Sequence, residues 1–554
     1  MARIFLLPVL LLVIPGFSAS RPGFRGFSEV QGGRKGDFAV HVLTPGDSPE
    51  RDATKEGTSA SPQPSQRWAL LVAGSSGWYN YRHQADVCHA YHLIKEGGVH
   101  TANIVTMMYG DIAHHADNPF PGKIFNRPGG PDVFQGVAID YRGDEVNVNT
   151  VLAVLEGNKD AVKSLGTGKV IDSGPNDEVF VFYSDHGSPG VLGMPSGSML
   201  YADQLLGAIR RKRAAHGYKE MSMYIEACES GSLFQGMLED DLQLYVTTAA
   251  NANESSWGTY CPGLHGAAPP QAQLAGNGSK ELDTCLGDLF SVAWMEDSEE
   301  QNPLTETLRV QFDHVSQRTS ANYTYKMGSH VQRFGQVSAM EADHVGDFIG
   351  YPSNRALSRL SSTGMGAELR GPQQHSSVSQ READLVPLRF RVANARTPRD
   401  RQKAEAELNA VLKQRAGADA AAEGLAHKLF MHPETSDILI QNHGWQAQDV
   451  FIGAPEHGQP ASSFLTQLVS GAPKQRPPQA PLVDSWDCLR EMERAWAQAY
   501  GPFDQYSMRH MRLLANLCNS GLNDHAVRAV SATTATAGAT TEAKEAVPET
   551  VTVQ

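Results

Sequence analysis

The chain has 554 residues, 41% of them apolar, with 47 Lys+Arg against 61 Asp+Glu and a formal net charge of −14. At about 150 residues per domain this length holds three to four segments, and the apolar fraction excludes a wholly disordered or collagenous chain. The acidic balance argues against a nucleic-acid binder of the basic-patch kind, and six cysteines are too few for a disulfide scaffold.

The charge is unevenly placed. Residues 355–554 carry 21 cationic and 21 anionic side chains, so residues 1–354 hold the whole −14. Within the neutral part, Arg381 to Arg415 has nine cationic against five anionic residues. Two readings follow: a basic segment that an acidic first unit attracts, or a solvated helix face.

In chain order, Arg3 supplies a short positive region and Ile4 to Phe17 is apolar but too short to cross a bilayer. Ser18-Ala19-Ser20 offers small residues for cleavage, so residues 1–20 read as a secretory signal peptide leading into an oxidising route. No later run reaches about 18 apolar residues, so no membrane anchor is expected. Residues 21–66 are rich in Gly, Ser, Pro and charge and read as a low-complexity N-terminal propeptide.

A catalytic unit is expected over 67–354. Trp68–Ala73, Asn103–Tyr109, Val179–Tyr183, Met221–Ile225 and Leu242–Thr248 are short apolar runs. Helical stretches from Arg82 to Glu96 and Asp203 to Ala215 separate some of them. That alternation predicts an α/β fold, a mostly parallel sheet with helices on both faces. Gly74-Ser-Ser-Gly77 is too short for a nucleotide fingerprint and reads as a tight turn. Residues 355–380 turn Ser-, Gly- and Gln-rich and read as an exposed linker. The helical period returns over 381–526, in stretches such as 400–417 and 484–498, and predicts a small all-α domain. Residues 527–554 read as a disordered tail.

In an open α/β sheet, chemistry collects past the carboxyl ends of the strands. The run Val179–Tyr183 leads into Ser184-Asp185-His186-Gly187, and Met221–Ile225 leads into Glu226-Ala227-Cys228-Glu229-Ser230-Gly231-Ser232. Adjacent parallel strands would bring His186 and Cys228 together as the base and nucleophile of a cysteine hydrolase. The backbone N–H groups of Gly187 and Cys228 would supply an oxyanion site. A lone His or Cys at a strand end is usually structural; the pair is more specific. His114-His115-Ala-Asp117 lacks further ligands at useful spacing, and Arg142-Gly-Asp144 reads as chance.

These residues carry a resemblance. Val72-Ala-Gly-Ser-Ser-Gly-Trp-Tyr-Asn-Tyr-Arg-His-Gln-Ala-Asp86, Tyr183-Ser-Asp-His-Gly187, Glu226-Ala-Cys-Glu-Ser-Gly-Ser232 and Glu254-Ser-Ser-Trp-Gly-Thr-Tyr-Cys261 resemble the legumain family, nearest its plant-type vacuolar processing members. The resemblance is dense over 66–350 and looser in the helical part. It implies a caspase-like fold and a cysteine endopeptidase that cuts after Asn, and after protonated Asp at acid pH. Cys228 would be the nucleophile, His186 the general acid/base, and Asn80 the residue that orients the His. Arg82, His83, Glu226, Ser256 and Asp288 match the family's S1 pocket, with Asp185 a secondary candidate. An Asn amide offers one acceptor and two donors, which Arg82 on one side and Glu226 and Asp288 on the other would satisfy.

The same resemblance implies disulfides Cys261–Cys285 and Cys488–Cys518, with Cys88 left as a buried thiol. The helical segment 381–526 would be an inhibitory prodomain that leaves at acid pH, and Asn354 an autocleavage site opening the linker. Asn277 and Asn322 are the expected glycan sites among three sequons. No metal or organic cofactor is expected. The expected partners are peptide substrates with Asn at P1 and the chain's own prodomain, in an acidic vacuole or lysosome. Peptide ligation through the same acyl-enzyme is the alternative. A lipid-anchor transamidase is disfavoured by the lack of a C-terminal span, and a dead homologue by the intact Asn80, His186 and Cys228.

Overall fold

The computed structural model describes residues 65–262, 271–273, 279–351, 377–431, 477 and 479–521. The expected signal peptide, nearly all of the N-terminal propeptide, Asn277, Asn354 and the final tail lie outside them.

The chain opens with β1 (Arg67–Ala73), α1 (Tyr81–Glu96), β2 (Ile104–Met107), α2 (Val148–Glu156), α3 (Lys159–Val162) and β3 (Glu178–Ser184). Three two-residue strands follow, β4 (Gly187–Ser188), β5 (Val191–Leu192) and β6 (Leu200–Tyr201), then α4 (Ala202–Ala214), β7 (Glu220–Glu226) and β8 (Leu244–Thr248). Next come β9 (Trp257–Thr259), β10 (Gln271–Gln273), β11 (Ser279–Glu281), β12 (Gly287–Asp288), α5 (Leu289–Glu300) and α6 (Leu308–Thr319). The unit closes with β13 (Gln332–Gly335), α7 (Val337–Met340) and α8 (Val345–Ile349).

The main sheet has the order β13-β8-β7-β3-β1-β2, parallel except for β13. Each run expected as a strand is one, within about two residues at either end. β3 is buried along its whole length, and its side chains alternate between two cores. Phe180 and Phe182 face α1 and α5, against Tyr81, Cys88 and Trp294. Val179, Val181 and Tyr183 face α2 and α4, against Val151, Leu155, Leu206 and Ile209. A strand covered on both faces must be apolar throughout, and this is why its sequence shows no polar alternation. Lys212, in the basic last turn of α4, is buried and donates to the Ile171 carbonyl at 2.8 Å.

The chain passes from β1 to β2 on one side, then to β3 on the other, so the strand order reverses at β1. Such a switch point leaves a crevice beyond the carboxyl ends of the strands. Ala73, Ser184 and Glu226 lie in one row across β1, β3 and β7. His186 and Cys228 each stand two residues beyond that row.

The helical part contains helices Leu385–Asn394, Pro398–Met431, Trp486–Tyr500 and Met511–Asn519. In the third, Ser485 caps the start by accepting from Cys488 N, and Leu489, Met492 and Trp496 repeat at helical spacing. They bury against Leu513, Leu514 and Leu517, and also against Val191, Met199 and Tyr201 of the catalytic unit. Disulfides join Cys261 to Cys285 and Cys488 to Cys518, while Cys88 and Cys228 are free and buried.

One expectation is corrected. The end of the linker read as exposed, Ser377 to Gln380, is not exposed: Ser377 and Gln380 are buried, and β14 (Val378–Ser379) pairs antiparallel with β9. Its Ser and Gln composition suits a strand whose polar groups are satisfied inside a polar groove rather than by water.

Candidate active site

Three turns build the site, one after each of three neighbouring strands. After β1, Gly77 adopts φ 88°, a conformation that favours glycine, and the turn carries Asn80 to the start of α1. After β3 come Asp185 and His186. After β7 comes Cys228, followed by Glu229 at φ 47°, a left-handed conformation costly for a side chain with a Cβ. That sharp reversal lifts Cys228 out of strand direction. A Cβ on Gly187 would collide with the Cys228 carbonyl and the Ala227 side chain, so only glycine lets the two strand ends approach.

Asn80 Nδ2 donates to the Ser76 carbonyl at 2.9 Å, which fixes the amide, and its Oδ1 meets His186 Nε2 at 2.7 Å. An acceptor at that distance places the hydrogen on Nε2 and leaves Nδ1 as the basic nitrogen. Burial, then the Arg82 and Arg381 charges, hold His186 well below the ordinary imidazole range, so the ring is neutral at physiological pH. Burial pushes the Cys228 thiol up to about 11, against a lowering influence from Arg381.

Beside Cys228 lies a pocket of buried polar side chains. Arg82 Nε pairs with Asp288 Oδ1 at 2.8 Å, and His83 Nδ1 meets Ser75 Oγ at 2.5 Å. Glu226 Oε2 accepts from Ser291 N and Oγ, both at 3.1 Å, and Asp86 accepts from Asn126 Nδ2 at 2.7 Å. Burial raises the Asp86, Glu226 and Asp288 carboxyls, and mutual repulsion adds to it for Asp86 and Glu226. The pocket therefore favours a neutral guest over an anion. Arg82 Nη2, Glu226 Oε1 and Asp288 Oδ2 make no hydrogen bond among the described residues. The cluster thus holds one donor and two acceptors that make no hydrogen bond of their own.

The structure thus brings together Asn80, Arg82, His83, Asp185, His186, Gly187, Glu226, Cys228, Ser256 and Asp288. Ser256 Oγ lies 3.9 Å from Cys228 Sγ. Burial raises Asp185 well above the usual carboxylate range. His83, Asp185 and His186 place ligand-type atoms within 4.8 Å of one another. Both imidazoles already spend a nitrogen on protein partners.

Sequence reasoning missed the occupant of this pocket. Gln380 N donates to the Ser256 carbonyl at 2.9 Å, and Gln380 Oε1 accepts from Cys228 Sγ at 3.4 Å. Gln380 Nε2 reaches Asp185 O at 3.2 Å and Asp288 Oδ1 at 3.4 Å. Arg381 then bridges the surroundings of Cys228, donating to Gly187 O at 2.9 Å and to Glu229 Oε2 at 2.8 Å. The basic stretch beginning at Arg381 was the one available signal; nothing local marks Gln380. Further out, Arg391 pairs with Asp283 at 2.5 Å and Arg490 with Asp203 at 3.0 Å.

Comparisons with known proteins give the family. The peptidase C13 family model matches residues 67–351, and the legumain prodomain model matches 467–535. A vacuolar-processing enzyme of Vicia sativa is 42% identical over 87% of this chain and 87% of its own. The beta-isozyme of Arabidopsis thaliana is 40% identical over 92% and 93%. Legumain of Canavalia ensiformis is 42% identical over 82% and 86%. A solved caspase-1 structure from Spodoptera frugiperda aligns at 12% identity with a TM-score of 0.28, over 52% of this chain and 92% of that one, a likeness too slight to build on. The chain belongs to the peptidase C13 family and is a cysteine-type endopeptidase that carries a legumain prodomain.

Proposed function

We propose that this peptidase cleaves after asparagine, and after aspartate only when the aspartate is protonated, and that it is made as an acid-activated zymogen. One observation carries the specificity: the pocket beside Cys228 holds a primary carboxamide, that of Gln380, and leaves Arg82 Nη2, Glu226 Oε1 and Asp288 Oδ2 without a hydrogen bond. An Asn side chain, one methylene shorter than Gln, offers its carbonyl to the arginine and its NH₂ to the carboxylates. An ionised Asp meets those same acidic groups and is repelled.

Cys228 Sγ attacks the scissile carbonyl while His186 Nδ1 takes its proton. Asn80 holds the imidazole in the required tautomer. The backbone N–H groups of Gly187 and Cys228 receive the oxyanion. His186 returns the proton to the leaving amine, and then deprotonates the water that hydrolyses the acyl-enzyme. With Gln380 in the pocket and Arg381 against Glu229, substrate is excluded. Protonation of carboxylates that hold the tail's arginines frees the groove, and Asn354 is the proposed cut. The names of the relatives support a vacuolar setting.

Fluorogenic peptides differing only in Asn, Asp or Ala before the reporter test the specificity after acid activation. Asn should be cleaved at both pH 5 and pH 7, Asp at pH 5 alone, Ala at neither. Equal Asp and Asn rates at pH 7, or cleavage after Ala, contradict it.

A further inference from the structure

At the end of α5 opposite Asp288, α5 and α6 pack side by side and enclose a second cluster of acidic and imidazole groups. Asp297 lies in the last turn of α5, Glu306 in the loop that turns the chain back, and His314 two turns into α6. His314 Nδ1 stands 3.0 Å from Asp297 Oδ1 and 3.4 Å from Glu306 Oε1. One ligand-type atom from each residue lies within 4.8 Å of the other two.

Two carboxylates do not share a buried corner without compensation. The Glu306 side chain is only 3% exposed, yet both its oxygens and Asp297 Oδ2 make no hydrogen bond among the described residues. Neither carboxylate has an arginine or lysine in ion-pair contact among those residues. Arg309 is committed to Asp313 and Glu341, and Arg318 to Glu296. Nearby polar groups are also engaged elsewhere: Gln311 accepts from Tyr224 Oη and donates to Ser298 Oγ. Glu306 is thus a nine-tenths buried acid without a cationic partner of its own, set between the Asp297 carboxyl and an imidazole that is itself 43% exposed. The cluster has a dry wall and an open side.

We propose that Asp297, Glu306 and His314 bind one divalent transition-metal ion of the zinc class, which clamps α5 to α6. The donor set selects the ion. Carboxylates alone would suit calcium or magnesium, whereas an imidazole beside them favours zinc, and three protein ligands leave one position for water from the exposed side. The cation supplies the positive charge that the two buried carboxylates lack. The clamp is independent of Cys228 and of the reading of the catalytic site.

The test is Zn²⁺ titration of the full-length Cys228→Ala protein by calorimetry at pH 7, with Ca²⁺ as the comparison ion and thermal melting as second readout. The proposal expects one equivalent bound, a rise in Tm with Zn²⁺ and none with Ca²⁺. His314→Leu should weaken that binding at least about tenfold and cancel the Tm rise. This residue is half exposed, so the variant should fold; Glu306→Gln, which keeps the shape and removes the charge, should weaken binding similarly. Absence of Zn²⁺ binding in the Cys228→Ala protein overturns the proposal, leaving a carboxyl pair that shares a proton. Binding unchanged in His314→Leu overturns it too, and points to His83 and His186 instead.

Discussion

The sheet and the seat of the helical tail are held by different forces. The sheet is a continuous backbone ladder between two apolar cores, and β3, β7 and β8 are buried almost throughout. The tail touches the catalytic unit through apolar patches around Trp496 and Val191 and around Val386 and Cys261, through the β14–β9 pairing, and through arginines placed on core carboxylates: Arg381 on Glu229, Arg391 on Asp283, Arg490 on Asp203. Burial of apolar surface does not depend on pH; ion pairs with carboxylates do. On the proposed reading, the catalytic unit should therefore persist under acid conditions that loosen the tail.

Substitutions should separate the two regions, beginning with the largest effect. Asn80→Ala leaves the sheet and the tail contacts intact but frees the imidazole of His186. It should lower kcat of the activated enzyme by about 10²–10⁴ with little change in KM. A loss confined to KM would show that Asn80 serves the pocket instead.

Arg381→Ala strikes the tail's seat. Arg381 and Glu229 are 8% and 13% exposed, and removing one partner of a buried pair leaves the other charge uncompensated. Hydrolysis by the full chain at pH 7 should rise by about 10- to 100-fold without acid treatment, since a shift of 1.4 kcal/mol in occupancy is tenfold. Unchanged latency would mean that the other contacts of the tail hold it without this ion pair.

The thiol reports the same contrast. With Gln380 over it, burial holds Cys228 at about 11, so little thiolate exists at neutral pH. Alkylation of the full chain by iodoacetamide should climb with pH toward that value, and its midpoint should fall once the tail is gone. An identical midpoint in both forms would show that the tail does not cause the burial. Smallest is Arg490→Ala at the rim, where Arg490 and Asp203 are 23% and 26% exposed. Latency at pH 7 should weaken only a few-fold, within the roughly 1 kcal/mol of a partly exposed pair.

How much of this was legible depended on range. The strands carrying His186 and Cys228 announce themselves because a doubly covered parallel strand must be an apolar run, and the reactive residues follow it directly in sequence. The turn holding Asn80 was readable only through family likeness, since an Asn after Gly77 is an ordinary turn residue. Gln380 was illegible: its role comes from β14 pairing with β9 more than 100 residues away, and Ser-Val-Ser-Gln has the composition of a linker. The charge imbalance offered, as one of two readings, that basic tail residues face an acidic core, without saying which carboxylates they reach; Arg381 and Arg391 do so, while Arg401 and Lys403 lie on an exposed helix face. The Asp297–Glu306–His314 cluster was missed for the same reason, because two helices and a loop bring it together.

The most direct test of the account is hydrolysis of a fluorogenic peptide with Asn before the reporter, by the full chain before and after incubation at about pH 4–5, near ordinary carboxylate pKa values. Cys228→Ala runs alongside, and chain length is followed by mass spectrometry. The account predicts a silent full-length protein, activity that appears with loss of the tail, and a Cys228→Ala protein at least about 10⁴-fold less active. Full activity with the tail still seated, or comparable activity in Cys228→Ala, would contradict it.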